Sequence, residues 1–178
     1  MNKREQLINW INLYSIEQGE EFTLASGQKS SVYLDLKKTV QSHRVHKLLA
    51  ELLVDKIEKE FAPISAVCGV VLGGCHLASI VAMQYPIGLD VLFIRNQPKD
   101  HGSQKWIERP YSVQGSEVVI LEDVITTGGS ACAAAKLLEK EGFEVKGILA
   151  IVDRREVKTD YIKNFKVASL IDFEELTI

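Results

Sequence analysis

Four short runs rich in valine, isoleucine and leucine, at 66–72, 90–95, 117–121 and 145–152, alternate along the chain with segments of other character. Near-continuous apolar runs of this length read as strands buried on both faces, which requires helices above and below the sheet. A parallel neighbour needs a crossover long enough to bring the chain back, and helical patterns from Gly73 through Met83 and over Gly129–Glu141 supply it. The pattern therefore predicts an α/β fold, a mostly parallel central sheet flanked by helices, with Lys166–Ile171 as its last strand.

Ahead of the sheet lies a small N-terminal helix and strand subdomain. Residues 2–18 carry Leu7, Ile8, Ile11 and Leu13 at amphipathic helical spacing. Phe22–Leu24 and Val32–Asp35 read as short strands around the turn 26–29. Residues 42–60 predict a strong helix, with Val45, Leu48, Leu49, Leu52, Leu53 and Ile57 on one face. No repeat or proline-rich linker interrupts the 178 residues, so a single domain over 1–178 is expected.

A formal charge of −3 argues against a nucleic-acid binder, and makes the basic cluster within 95–109 a local feature. Cys68, Cys75 and Cys132 show neither a CxxC pair nor metal-ligand spacing, which fits a reducing compartment. Residues 1–15 are charged from the start and hold no long apolar run, so neither a signal peptide nor a membrane span is expected. A cytoplasmic location follows as the expectation. His43 and His46 have no partner at metal-ligand spacing, Trp10 and Trp106 read as packing residues, and Cys132 as a small buried one.

In an open parallel sheet, ligands bind beyond the carboxyl ends of the strands. The strand end at 118–130, VVILEDVITTGGS, carries the densest chemistry. A buried strand runs into Glu122 and Asp123; Thr126, Thr127, Gly128 and Gly129 form a loop; Ser130 opens an Ala-rich helix. Glycines let the backbone approach a ligand closely, and the helix start offers unpaired N–H groups at the positive end of its dipole. Such a loop suits a phosphate monoester. Two acids beside a phosphate conflict unless they face sugar hydroxyls, or water on a bound Mg²⁺, so a sugar phosphate fits better than a nucleoside triphosphate. G-x-x-x-x-G-K-[ST] is absent, as is a G-x-G-x-x-G following a strand. A bare Gly-Gly-Ser would be an ordinary turn with a helix cap, whereas the whole string is far more specific.

VVILEDVITTGGS resembles the phosphoribosyl-diphosphate (PRPP) motif of type I phosphoribosyltransferases. GEEFTLASGQKSSVYLD (19–35), FIRNQPKDHGSQKWIE (93–108) and IVDRRE (151–156) narrow the resemblance to the orotate phosphoribosyltransferases, over nearly the whole chain. The resemblance implies transfer of phosphoribose from PRPP to orotate with Mg²⁺, in a homodimer with active sites shared across the interface. It implies a base-side hood over 1–40 and PRPP held by Glu122, Asp123, Thr126, Thr127, Gly128, Gly129 and Ser130, with Gly73 and Gly74 at the pyrophosphate. Arg95, Lys99 and His101 would neutralise the leaving group, with Asp123 as the fourth catalytic residue. Arg154, Thr126, Ser26 and Lys29 would meet orotate. No residue is singled out as a direct metal ligand, since Mg²⁺ would be held mainly through substrate and water. The chain departs from the family at Ala25, Gly73, Asn96 and Gln97, where some members carry basic residues. On the residues alone, Arg154 is also open to a surface pair with Glu156 or Asp153. A PRPP-sensing module, or a transferase for another base, also stays open.

Overall fold

The computed structural model describes residues 1–23, 29–95, 106–110 and 115–177. In chain order the elements are α1 (Lys3–Tyr14), β1 (Ile16–Thr23), β2 (Lys29–Leu34), α2 (Lys37–Val40), α3 (His43–Glu60), β3 (Ala66–Val70) and α4 (Gly73–Gln84). Then come β4 (Asp90–Ile94), β5 (Ile107–Glu108), β6 (Glu117–Ile125), α5 (Gly129–Lys140), β7 (Glu144–Asp153), β8 (Tyr161–Ile162), β9 (Phe165–Asp172) and a 3₁₀ turn (Phe173–Glu175). The main sheet has the order β5-β4-β3-β6-β7-β9-β8, and β1 and β2 form a separate antiparallel pair. All central pairings are parallel, and only the two-residue edge strands β5 and β8 run antiparallel. The expected α/β class holds.

The strand pleat divides the core into two layers. Val67, Val119, Leu121, Leu149 and Ile151 point to one face, where α1, α3 and α4 pack through Leu7, Ile11, Leu49, Leu53, Leu77 and Val81. Ala66, Cys68, Val118, Ile120, Ile148 and Ala150 point to the other, covered by α5. That helix buries Ala131, Cys132, Ala134, Ala135 and Leu138, whose mostly small side chains let it lie close to the sheet. Cys132 is the small buried residue its sequence context indicates.

Several element boundaries differ from the sequence expectation. The helix expected over 2–18 stops at Tyr14, and Ile16–Thr23 is a strand. The buried Ser15 hydroxyl lies 2.6 Å from that of Thr39, and Ile16, Glu17 and Gln18 pair with Leu34, Tyr33 and Val32. Long-range pairing overrides a local helical spacing that would run further. Strand β6 extends to Ile125 rather than Leu121, because β7 goes on pairing with it as far as Ile125↔Asp153. Glu122 and Asp123 thus lie inside the strand, not beyond it. Strands β5 and β8 and the one-turn helix α2 are too short to show a period.

The sheet brings the start of α4 against β3 at Gly69, where a Cβ would lie 2.4 Å from the Gly74 carbonyl oxygen. Backbone cannot yield there as a flexible side chain would. Gly69→Ala should therefore cost roughly 2 kcal/mol or more of stability. Urea denaturation checks this as a lower midpoint with an unchanged slope.

Candidate active site

Strand β3 pairs with β6 only as far as Gly69↔Leu121, while β7 accompanies β6 to its end. The last part of β6 therefore overhangs the start of α4. A cavity of about 350 Å³ opens there, lined by Val70–Gly73 and by every residue from Glu122 to Ala131. Glu122, Asp123, Thr126, Thr127, Gly128, Gly129, Ser130 and Gly73 meet in it. Gly74 does not line it. That glycine lies beneath, where a Cβ would fall 2.1 Å from the Leu121 carbonyl oxygen.

The loop after β6 turns through Gly128, whose φ of 72° is left-handed. Thr127 Oγ1 accepts from Gly129 N at 3.4 Å, and Thr127, Gly129 and Ser130 are exposed at the start of α5. Unpaired N–H groups and hydroxyls at a helix start form an anion site.

Asp123 folds back so that its Oδ1 accepts from Val124 N at 2.8 Å. Its carboxylate lies flat over Gly73, where a Cβ would be 2.4 Å from Oδ2. A glycine at position 73 is therefore what this placement of Asp123 requires. Glu122 is buried, and its pKa is pushed up to about 8, first by burial and then by the charge of Asp123. Around neutral pH the pair thus holds a proton and faces the cavity with one full charge rather than two. His76 follows the glycines on α4; burial lowers its pKa, Asp123 opposes that shift, and its Nε2 is buried without a hydrogen-bond partner among the described residues.

A second cavity, of about 530 Å³, is lined by Lys29, Ser30, Thr126, Thr127, Arg154, Arg155, Glu156, Phe173 and Glu174. Thr126 and Thr127 belong to both cavities, so the two are adjoining halves of one cleft. Arg154, Thr126 and Lys29 meet here as the sequence predicts. Lys29 is exposed and pairs with Glu21 Oε1 at 2.7 Å. The alternative pair of Arg154 with Asp153 is not what the structure holds, since Arg155 takes Asp153 instead, at 2.7 Å and largely buried. Arg154 Nη2 donates to Ser30 Oγ at 2.9 Å and to the Val32 carbonyl at 3.1 Å, and its guanidinium lies 4.3 Å from the centre of the Phe173 ring. Partial burial lowers its pKa, and it makes no ion pair among the described residues. This is a cation placed to receive an anion.

Arg95 lines neither cavity. It directly follows β4, pairs with Glu108 Oε1 at 2.9 Å and borders a mostly apolar depression that shares Val70 and Ser130 with the phosphate-loop cavity. Trp106 is 44% exposed rather than packed in the core. Lys99, His101, Ser26, Ala25, Asn96 and Gln97 lie outside the described residues. Ser30, Glu156, Phe173 and Glu174 are lining residues that sequence reasoning missed. Ser30 directly follows Lys29 on β2, and Phe173 directly follows the last strand, so the rule placing ligands beyond strand ends would have found Phe173.

Residues 37–176 match the phosphoribosyl transferase domain. An orotate phosphoribosyltransferase of Pyrococcus furiosus is 35% identical over 97% of this chain and 94% of its own length. The chain belongs to the orotate phosphoribosyltransferase family. An orotate phosphoribosyltransferase of Mycobacterium tuberculosis H37Rv, solved with Fe(III) dicitrate, superposes with a TM-score of 0.83 at 27% identity, over 99% of this chain and 100% of that one. A structure of the Mycobacterium tuberculosis enzyme with 5-phospho-α-D-ribosyl 1-diphosphate gives 0.77 at 26%, over 98% of each chain. Like these orotate phosphoribosyltransferases, the chain carries the mostly parallel sheet of the type I fold.

The raised pKa of Glu122 has a definite sign. The unfolded chain releases this proton near pH 4.5, whereas the folded protein keeps it to about 8. The folded state binds more protons across that window, so the group's contribution to stability falls as pH rises through it and is flat on either side. Thermal unfolding of wild type and Glu122→Gln should therefore diverge between pH 5 and pH 8, with the glutamine variant increasingly the more stable. A difference independent of pH would contradict the buried, protonated carboxyl.

Proposed function

We propose that this chain transfers the phosphoribosyl group of PRPP to orotate, forming orotidine monophosphate and pyrophosphate in de novo pyrimidine synthesis. The observation that carries this reading is Arg154, half-buried and without an ion-pair partner among the described residues, in a cavity that shares two threonines with the phosphate loop. Guanidinium groups suit carboxylates, and orotate is a pyrimidine carboxylate.

In this reading the loop 126–130 holds the 5-phosphate on the α5 N-terminus, and Asp123 and Glu122 face the ribose hydroxyls. N1 of orotate displaces pyrophosphate from C1. The transition state resembles an oxocarbenium ion, so catalysis rests on positioning and electrostatics rather than on a protein nucleophile. The carboxylate of Asp123 stabilises the growing positive charge on the ribose, while the protonated Glu122 beside it serves as a hydrogen-bonding group. Gly73 admits the diphosphate to close backbone contact with Gly74 packed beneath it, while Arg95, Lys99 and His101 neutralise it on departure.

Mg²⁺ completes the proposal. No cluster of three or more ligating side chains occurs among the described residues, and the Glu122–Asp123 pair suits an ion that takes most of its ligands from diphosphate and water. Bound there, the ion would offset the charge of the leaving group. The whole of 1–178 acts as one domain, with 1–40 as a hood on the base side. The working form is a cytoplasmic homodimer with active sites shared across the interface.

Incubation with PRPP, Mg²⁺ and orotate should deplete orotate absorbance. Turnover with hypoxanthine, adenine or uracil but not orotate would assign another base, and PRPP binding without pyrophosphate release on any base would make the chain a sensor. Arg154→Lys keeps the charge and loses the fork, and should raise KM for orotate by about tenfold or more. Lys99→Ala should lower kcat by roughly a hundredfold, with an unchanged unfolding midpoint.

A further inference from the structure

Arg154 is held on two sides before any ligand arrives. On one side, Nη2 is fixed by Ser30 Oγ and the Val32 carbonyl of β2. On the other, the guanidinium lies over the Phe173 ring, 4.3 Å from ring centre to Cζ. A cation held over an aromatic face is attracted by the ring quadrupole. The Nε and Nη1 donors have no partner among the described residues.

The ring's position comes from the end of the main sheet. Phe173 opens the 3₁₀ turn after β9, and that turn is closed by Asp172 N donating to Glu175 Oε1 at 2.8 Å and Leu176 N to the Phe173 carbonyl at 3.1 Å. Arg4 Nη2 contacts the same Glu175 carboxylate from α1. Phe173 also packs against the core layer beneath α1, α3 and α4. It is therefore an anchored platform, whereas an arginine side chain left free would lose rotamer freedom on meeting its ligand.

We propose that Phe173 is a positioning residue for the acceptor base, holding Arg154 in the orientation in which its open edge meets the carboxylate of a planar pyrimidine. The ring itself does not touch the carboxylate; its effect passes through the guanidinium. The inference rests on the orotate reading given above, and it assigns to the 3₁₀ turn a share in selecting that substrate.

Phe173→Leu keeps an apolar group of similar bulk and removes the ring face, while Phe173→Tyr restores it. For both variants and wild type, KM for orotate, KM for PRPP, kcat and the unfolding midpoint are measured. Phe173→Leu should raise KM for orotate about tenfold, with KM for PRPP and kcat within about twofold of wild type. Phe173→Tyr should return KM for orotate to about the wild-type value. In an Arg154→Lys background, Phe173→Leu should add little further, because the effect passes through the fork.

An orotate KM unchanged in Phe173→Leu overturns the proposal. So does a rise of both KM values together, tracking lost stability, and so does full additivity with Arg154→Lys. Failure of the orotate reading shows differently, as a wild type that consumes no orotate before any variant is made, and that result removes both.

Discussion

Strand β6 outruns β3, and the rest of the cleft depends on that mismatch. Beyond Leu121 one side of β6 has no strand beside it among the described residues, and the start of α4 comes up against the gap. Two carboxylates occupy the exposed stretch, one buried and one lying over Gly73. A buried carboxyl beside another acid opposes folding whenever it is ionised, and the fold accommodates Glu122 by keeping its proton. Stability is given up at a place where a sugar's hydroxyls would supply the missing partners.

The geometry divides the work between two neighbouring cavities. One has the features of a phosphate site: a left-handed glycine, hydroxyls and a helix N-terminus. The other has an arginine held ready. Thr126 and Thr127 form the wall between them, so ligands in the two halves would meet over a short, fixed span. Two reactants held in this way would gain much of their rate from lost independence of motion.

Much of this was legible in the sequence, because the features concerned are local. Apolar runs on β3, β6 and β7 revealed the sheet, and TTGGS revealed the phosphate loop, since a left-handed turn before a helix demands glycine. The end of β1 with α1 was misread because strand pairing with β2, settled across the turn, outweighs the spacing of Leu7, Ile11 and Leu13. The length of β6 was underestimated because acidic residues look like a strand's end, whereas its pairing with β7 carries the strand through them. Arg154 could be placed at a strand end but not assigned a partner. That choice was made by Arg155, which takes Asp153 and the Thr159 carbonyl and leaves its neighbour available.

Arg154 also joins parts of the chain that are far apart. It grows from the end of β7, bonds to β2 of the small antiparallel pair, and lies over the residue that follows β9. The side chain that would read the base is thus also a fastener between the β1-β2 pair and the main sheet. Recognition and assembly share one residue, so the seat of β2 on the main sheet bears directly on the open edge of the guanidinium. Selection for a different base at this position would act on the architecture of the N-terminal forty residues as well as on the pocket.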